Sequence, residues 1–299
     1  MLRYCIDSNI TMNIDAYRNL KPCSITTPNI LCVFNGVFAP IHKQHLTMLQ
    51  TISLYLERGE LRAEQVVVHC GTWFKENSYN FIGTCVTLSH GSTLFKKGFI
   101  MTSMMPHVPQ WELRLQMCSL ALRQFPHVIL DGFQCSQLKP IGIEKACRRI
   151  YGEVKNSSNL FLILLFGIDN LYRMVKLLER NLHYLAICVI NRPISSENQD
   201  LVNAVKNNHV GERLLFINDL KSNMSSTLIR SLVMSHSNEV QELVTPNVYD
   251  YHQRMSVRYI DDWRDLLDAK TVVIAGLFLN VKSNLKSKIN FFFSKTDND

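Results

Sequence analysis

The chain has 299 residues, of which 46% are hydrophobic, 19% charged and 9% aromatic. This composition excludes the disordered, collagenous and coiled-coil classes and suits one large α/β domain or two small ones. The net charge of +7 fits anionic partners, but the basic residues are too dispersed to demand nucleic acid. Nine cysteines are scattered, odd in number and never spaced Cys-x-x-Cys, so neither a disulfide framework nor a zinc ribbon is expected. The first twenty residues carry Asp7 and Asp15 and no apolar run, so no signal peptide is expected. The longest apolar stretches, Leu160–Ile168 and Val272–Val281, are shorter than the ~18–20 residues of a membrane span. The expectation is a soluble chain of the cytoplasm or nucleus, with no membrane and no nucleic-acid partner.

In chain order, residues 1–28 are polar and irregular and are expected to form an arm. A first strand, Ile30–Phe34, precedes a helix whose apolar stripe is Leu46, Leu49, Ile52, Leu54 and Leu56. A second strand is expected at Gln65–His69. Residues 71–110 hold six glycine or proline residues and no clear period, so a long loop is expected there. A helix follows, with Leu113, Met117, Leu120 and Ala121 on one face. Further strands are expected at His127–Leu130, Leu160–Phe166, Leu185–Ile190 and Leu214–Ile217. Strands as uniformly apolar as Leu160–Phe166 are covered on both faces, as in parallel sheets. Six strands alternating with helices predict a doubly wound, mostly parallel α/β sheet with helices on both faces. The main domain is expected over 29–258 and an extension of unassigned role over 259–299. In such sheets ligands bind beyond the carboxyl ends of the strands.

Two strand-to-helix segments carry chemistry. After the first strand runs Gly36-Val-Phe-Ala-Pro-Ile-His-Lys-Gln-His45. His42 and His45 fall three apart at a helix start, beside amides that lack intrahelical partners, which makes an anion site. The plain alternative is a proline turn with two surface histidines. Zinc is disfavoured because no other ligand lies nearby. After the last strand runs Ser225-Ser-Thr-Leu-Ile-Arg230, a second capped helix start with an arginine one turn in. The phosphate loop ending in Gly-Lys-Ser/Thr and the dinucleotide Gly-x-Gly-x-x-Gly are both absent.

These two segments together resemble the nucleotidyltransferase superfamily, and more closely the eukaryotic type of nicotinamide/nicotinate mononucleotide adenylyltransferases. Further matches fall in order across roughly 29–258. They are Lys96-Lys97-Gly98, Arg114 with Met117, Leu120 and Ala121, Gly167-Ile-Asp169, Val189-Ile-Asn-Arg192, and Leu243-Val-Thr-Pro-Asn-Val-Tyr-Asp-Tyr251. The resemblance implies a Rossmann-like nucleotidyltransferase fold and adenylyl transfer from ATP to a pyridine mononucleotide, giving a dinucleotide and pyrophosphate. It implies His45, His42 and Arg230 as catalytic residues. It implies ATP contacts from Phe38, His45, Lys97, Ser226, Thr227, Leu228, Ile229 and Arg230. The mononucleotide would meet Gly36, Val37, Phe38, Lys96, Arg114, Gly167, Asp169 and Arg192. Magnesium would arrive on the triphosphate, with no protein metal cage, and a homo-oligomer stays open. The sequence departs from the family at Val37 and Ala39, at Ser92, Thr93 and Phe95 before the lysine pair, at Phe133-Gln134 where the family has Trp-Glu, and in a short 170–185 segment without tryptophan. These departures bear on the mononucleotide pocket. They leave open another phosphate acceptor, or a nucleotide-binding relative with weakened turnover.

Overall fold

A computed structural model describes residues 17, 20–59, 66–76, 78–92, 110–137, 139–154, 159–179, 184–191, 203, 209–218, 224–235 and 237–253. The chain divides into two units, residues 1–249 and 250–299. The expected extension over 259–299 lies outside the described residues.

The first unit is built on a seven-stranded sheet. Its strands are β1 (Asn29–Gly36), β2 (Val66–Cys70), β3 (Asn80–Leu88), β4 (Val128–Asp131), β5 (Leu160–Gly167), β6 (Leu185–Asn191) and β7 (Leu214–Asn218). They lie in the order β2-β7-β6-β5-β1-β3-β4. All neighbours are parallel except β2, which runs antiparallel to β7 at one edge. The helices are α1 (Lys43–Arg58), α2 (Thr72–Glu76), α3 (Gln110–Leu122), α4 (Phe133–Ser136), α5 (Ile143–Val154), α6 (Leu171–Leu178), α7 (Ser226–Met234) and α8 (Val240–Leu243). A helical stretch over 246–253 follows.

The doubly wound architecture follows from the period-two alternation of fully apolar strands. In β1, Ile30, Cys32 and Phe34 face one core, which also holds Leu49 and Ile52 of α1, Cys118 and Ala121 of α3, and Ile229 of α7. Leu31 and Val33 face the other, with Ile150 of α5 and Leu171 and Leu178 of α6. Each fully buried aliphatic side chain contributes about 1.5–3 kcal/mol, so both faces of β1 hold the sheet between two helical layers. Leu54, expected on the apolar stripe of α1, is only half-buried.

One expectation is corrected. Residues 71–110 are not one long loop, because β3 lies inside them and pairs with β1 along its whole length. The strand was hidden by Gly83, Thr84 and Thr87, which break its apolar run although β3 is buried from Phe81 to Leu88. The strand expected at Gln65–His69 exists as β2, but it closes an edge antiparallel instead of joining the parallel set. The described part of the expected arm is tied down: the Lys21 N–H donates to the Ile82 carbonyl at 2.8 Å, and Asn80 Nδ2 donates to the Pro22 carbonyl at 3.0 Å.

From β1 the chain order runs outward through β3 and β4 on one side and through β5, β6 and β7 on the other. The switch point, where such sheets bind ligands, therefore lies beyond the carboxyl ends of β1 and β5.

Gly83 sits where the β1–β3 register shifts, with φ +143 and space for a Cβ blocked by the His127 carbonyl at 2.4 Å. A side chain there meets both a disfavoured backbone and a backbone atom that cannot yield. Gly83→Ala is expected to lower unfolding free energy by about 2–4 kcal/mol in a denaturant titration.

Candidate active site

The chain leaving β1 turns at once over its own strand end. Phe38 adopts φ 45 and is 1% exposed, and its ring lies over Gly36, where any Cβ would come within 2.7–3.0 Å of it. Glycine at 36 is thus a packing requirement. The Ala39–Pro40 peptide is cis, and Ile41 is buried at the entry to α1.

His42 caps α1 and is 2% exposed, so it is not the surface histidine of a plain proline turn. The His42 and His45 rings stack at 3.7 Å. Phe38 and Phe34 meet the His45 ring edge-on at 5.0 and 5.9 Å. His45 Nδ1 accepts the His42 backbone N–H at 3.3 Å. A ring nitrogen that accepts carries no proton, so the neutral His45 ring carries its hydrogen on Nε2. The half-buried His45 is thereby oriented as an Nε2–H donor at the start of α1, with His42 as its stacked support.

The second helix start docks on the same turn. Ser225 caps α7 by accepting the Leu228 N–H at 3.1 Å. Ser226 Oγ donates to the Pro40 carbonyl at 3.1 Å. Arg230 Nη1 donates to the Ala39 carbonyl at 2.9 Å, and its Nη2 donates to Thr227 Oγ1 at 3.0 Å. Burial lowers the Arg230 pKa from its ordinary value, yet an arginine remains charged. Two helix N-termini separated by more than 180 residues therefore meet beside the switch point, where partial positive charges of both dipoles add. The Ile229 side chain is wholly buried in the core, while Thr227 and Leu228 are exposed at the helix start.

Arg114 reaches this turn from beneath. It is 1% exposed, and its Nη1 donates to the carbonyls of Val37 at 2.7 Å and Ser89 at 3.0 Å. Burial lowers its pKa. From α3 it ties the turn after β1 to the turn after β3, so its place is that of a brace under the site. Gly167 ends β5, and Asp169 falls in the short turn 168–170 that follows. Lys96, Lys97 and Arg192 lie outside the described residues.

Sequence reasoning missed a polar network at the ends of β1, β3 and β4. Asn35 Nδ2 donates to Gln134 Oε1 at 2.7 Å and to the Thr87 carbonyl at 3.2 Å. Ser89 Oγ donates to Asn35 Oδ1 at 3.0 Å, and Gln134 Nε2 donates to the Ile141 carbonyl at 2.8 Å. Gln134 is 3% exposed and satisfied at both ends, as a buried amide requires. Its only signal in the sequence was the exchange of the family's Trp-Glu for Phe133-Gln134.

The eight described cysteines are all free. Burial pushes the Cys32 thiol up to about 12, which keeps it an inert hydrophobe. Among the described residues no group of three or more His, Cys, Asp or Glu side chains is arranged to hold a metal ion. No described helix is long and apolar enough to cross a membrane.

The fold is a doubly wound, mostly parallel α/β sheet, and the two helix starts meet at its switch point. No protein-family model matches the chain, and no curated protein matches it either. Among solved structures it is similar to Plasmodium falciparum nicotinic acid mononucleotide adenylyltransferase complexed with APC, with 14% identity, 75% of this chain and 94% of that chain covered, and a TM-score of 0.49. The same enzyme complexed with NaAD gives 15% identity, coverage of 76% and 95%, and a TM-score of 0.49. A putative nicotinate-nucleotide adenylyltransferase from Vibrio parahaemolyticus gives 12% identity, coverage of 74% and 97%, and a TM-score of 0.40.

Arg114→Met would leave the Val37 and Ser89 carbonyls without their donor. Bonds from a charged donor contribute about 1.5–3 kcal/mol each, so a loss of about 3–5 kcal/mol in unfolding free energy is expected by denaturant titration.

Proposed function

We propose that the chain is an adenylyltransferase that moves AMP from ATP to a pyridine mononucleotide, releasing pyrophosphate. The observation that carries the reading is the docking of Ser226 and Arg230 on the Pro40 and Ala39 carbonyls, which joins two anion-ready helix starts beside His45. The pyridine acceptor rests on the motif resemblance set out from the sequence.

The chemistry follows from what these groups can do. The acceptor's 5′-phosphate oxygen attacks the α-phosphorus of ATP, a bond to the α-phosphorus forms, and the bond to the β-phosphate's bridging oxygen breaks. Both substrates bring their own nucleophile and leaving group, so the protein supplies position and positive charge. The Nε2–H of His45 donates to an α-phosphate oxygen as negative charge gathers there. Arg230 and the first-turn amides of α7 hold the β- and γ-phosphates, which leave as pyrophosphate. Magnesium enters bound to ATP, as part of the substrate. Lys96, Lys97, Asp169 and Arg192 are assigned to phosphate and ribose contacts on the resemblance alone. In-line displacement sets attacking and leaving oxygens on opposite sides of phosphorus. With pyrophosphate toward α7, the acceptor enters from the side of β1 that faces β3 and β4.

Pyrophosphate release is to be measured with ATP and magnesium plus nicotinamide mononucleotide, nicotinate mononucleotide or no acceptor. Release that depends on either mononucleotide is expected; release from neither, with ATP still bound, overturns the pyridine assignment. Removing one transition-state donor costs roughly 10²–10³ in rate. His45→Ala is therefore expected to lose that much kcat while keeping its far-ultraviolet circular dichroism, and near-normal turnover removes His45 from its role.

A further inference from the structure

We propose that His90 is a positioning residue for the phosphate acceptor, clamping the segment that leaves β3 against the segment that follows β4. The proposal rests on the adenylyl-transfer reading above. No motif marks His90 in the sequence, and its role comes from hydrogen bonds that fix the tautomer of its neutral ring.

Each ring nitrogen has partners that fix its role. The Ser92 backbone N–H can only donate, and it lies 3.1 Å from His90 Nδ1. Nδ1 is therefore an acceptor, and Ser92 Oγ, 2.9 Å away, donates to it as well. The neutral ring then carries its proton on Nε2, which faces the Gln137 carbonyl at 3.0 Å, a group that can only accept. All three contacts demand one tautomer. The Nδ1 side shapes the turn after β3, and the Nε2 side crosses to the segment after α4.

The residue before His90 is itself immobilised by the site. The Ser89 N–H donates to the Gly36 carbonyl at 2.8 Å, its carbonyl accepts from Arg114 at 3.0 Å, and its hydroxyl donates to Asn35 at 3.0 Å. Ser89 is thus an anchor on the β1 turn, and His90 carries that anchorage across to Gln137. A second crossing, Asn35 to Gln134, ends on a buried amide, and Asn35, like His90, is partly buried. The Asn35 crossing starts from β1, whereas the His90 crossing holds the segment leaving β3 directly to Gln137. Both segments lie on the side of β1 from which in-line attack brings the acceptor. Loosening the His90 crossing should therefore weaken the acceptor's hold and leave ATP, on the α7 side, nearly untouched.

Asparagine and glutamine separate the two halves of the ring. Asparagine places its amide oxygen near the Nδ1 position, keeping the Ser92 contacts and losing the crossing. Glutamine places its amide nitrogen near the Nε2 position, keeping the crossing. Steady-state kinetics with the mononucleotide and with ATP varied in turn are expected to show His90→Ala and His90→Asn with acceptor KM raised about fivefold to tenfold, the loss of one hydrogen bond. ATP KM is expected to stay within about twofold and His90→Gln near wild type. Equal acceptor KM in the Gln and Asn variants, or a normal KM in His90→Ala, overturns the proposal; so does a KM that follows thermal midpoint across the three. Amide hydrogen exchange over residues 133–137 gives a readout independent of turnover. Faster exchange is expected in His90→Ala and His90→Asn but not in His90→Gln, and equal exchange in all three overturns the clamp. If the wild-type protein uses no pyridine mononucleotide, the pyridine assignment fails on that assay while the exchange pattern still decides the clamp.

Discussion

Everything specific about this protein depends on two backbone carbonyls, those of Ala39 and Pro40, being turned outward to receive the start of α7. A carbonyl at a turn is normally satisfied by water. Here Ser226 and Arg230 replace that water, and each bond pins a helix dipole end beside another. Two positive helix ends should repel in isolation. They are held together by hydrogen bonds to carbonyl oxygens and by the shared core through Ile229. Two positive helix ends held side by side are an arrangement that a bound anion would stabilise.

The turn that presents those carbonyls is itself over-determined. Phe38 covers Gly36, Arg114 holds the Val37 carbonyl from below, and the Ser89 N–H takes the Gly36 carbonyl. The residues that the resemblance singles out differ in exposure. His45, Thr227 and Leu228 stand partly or well exposed, whereas the Phe38, His42, Arg114 and Ile229 side chains are buried. The distinction has energetic content. A buried arginine loses hydration and must recover it from carbonyls, and Arg114 Nη1 does so on Val37 and Ser89.

Much of the fold was legible in the sequence because its signals are local. Strands such as Leu160–Phe166 are apolar on both faces, and a helix such as α1 shows its stripe within a few turns. The strand β3 was not legible, because Gly83 serves a bulge and Thr84 and Thr87 face inward. Its identity depends on the β1 register, not on its own pattern. The orientation of β2 was hidden for a similar reason: a short apolar strand looks alike whichever way it runs, and its pairing with β7 is a contact between residues about 150 positions apart.

The same division holds for the site. The sequence alone determined that two capped helix starts carry His42, His45, Ser225–Thr227 and Arg230, since capping and helix-end chemistry need only a few neighbouring residues. Only the tertiary structure decided that the two starts meet, that His45 carries its proton on Nε2, that Arg114 braces from within, and that Asn35, Gln134 and His90 link three strand ends. Those outcomes rest on hydrogen bonds between residues as far apart as Ala39 and Arg230. The partner of a buried donor is set by where the sheet order places it, and chain order alone does not reveal that neighbour.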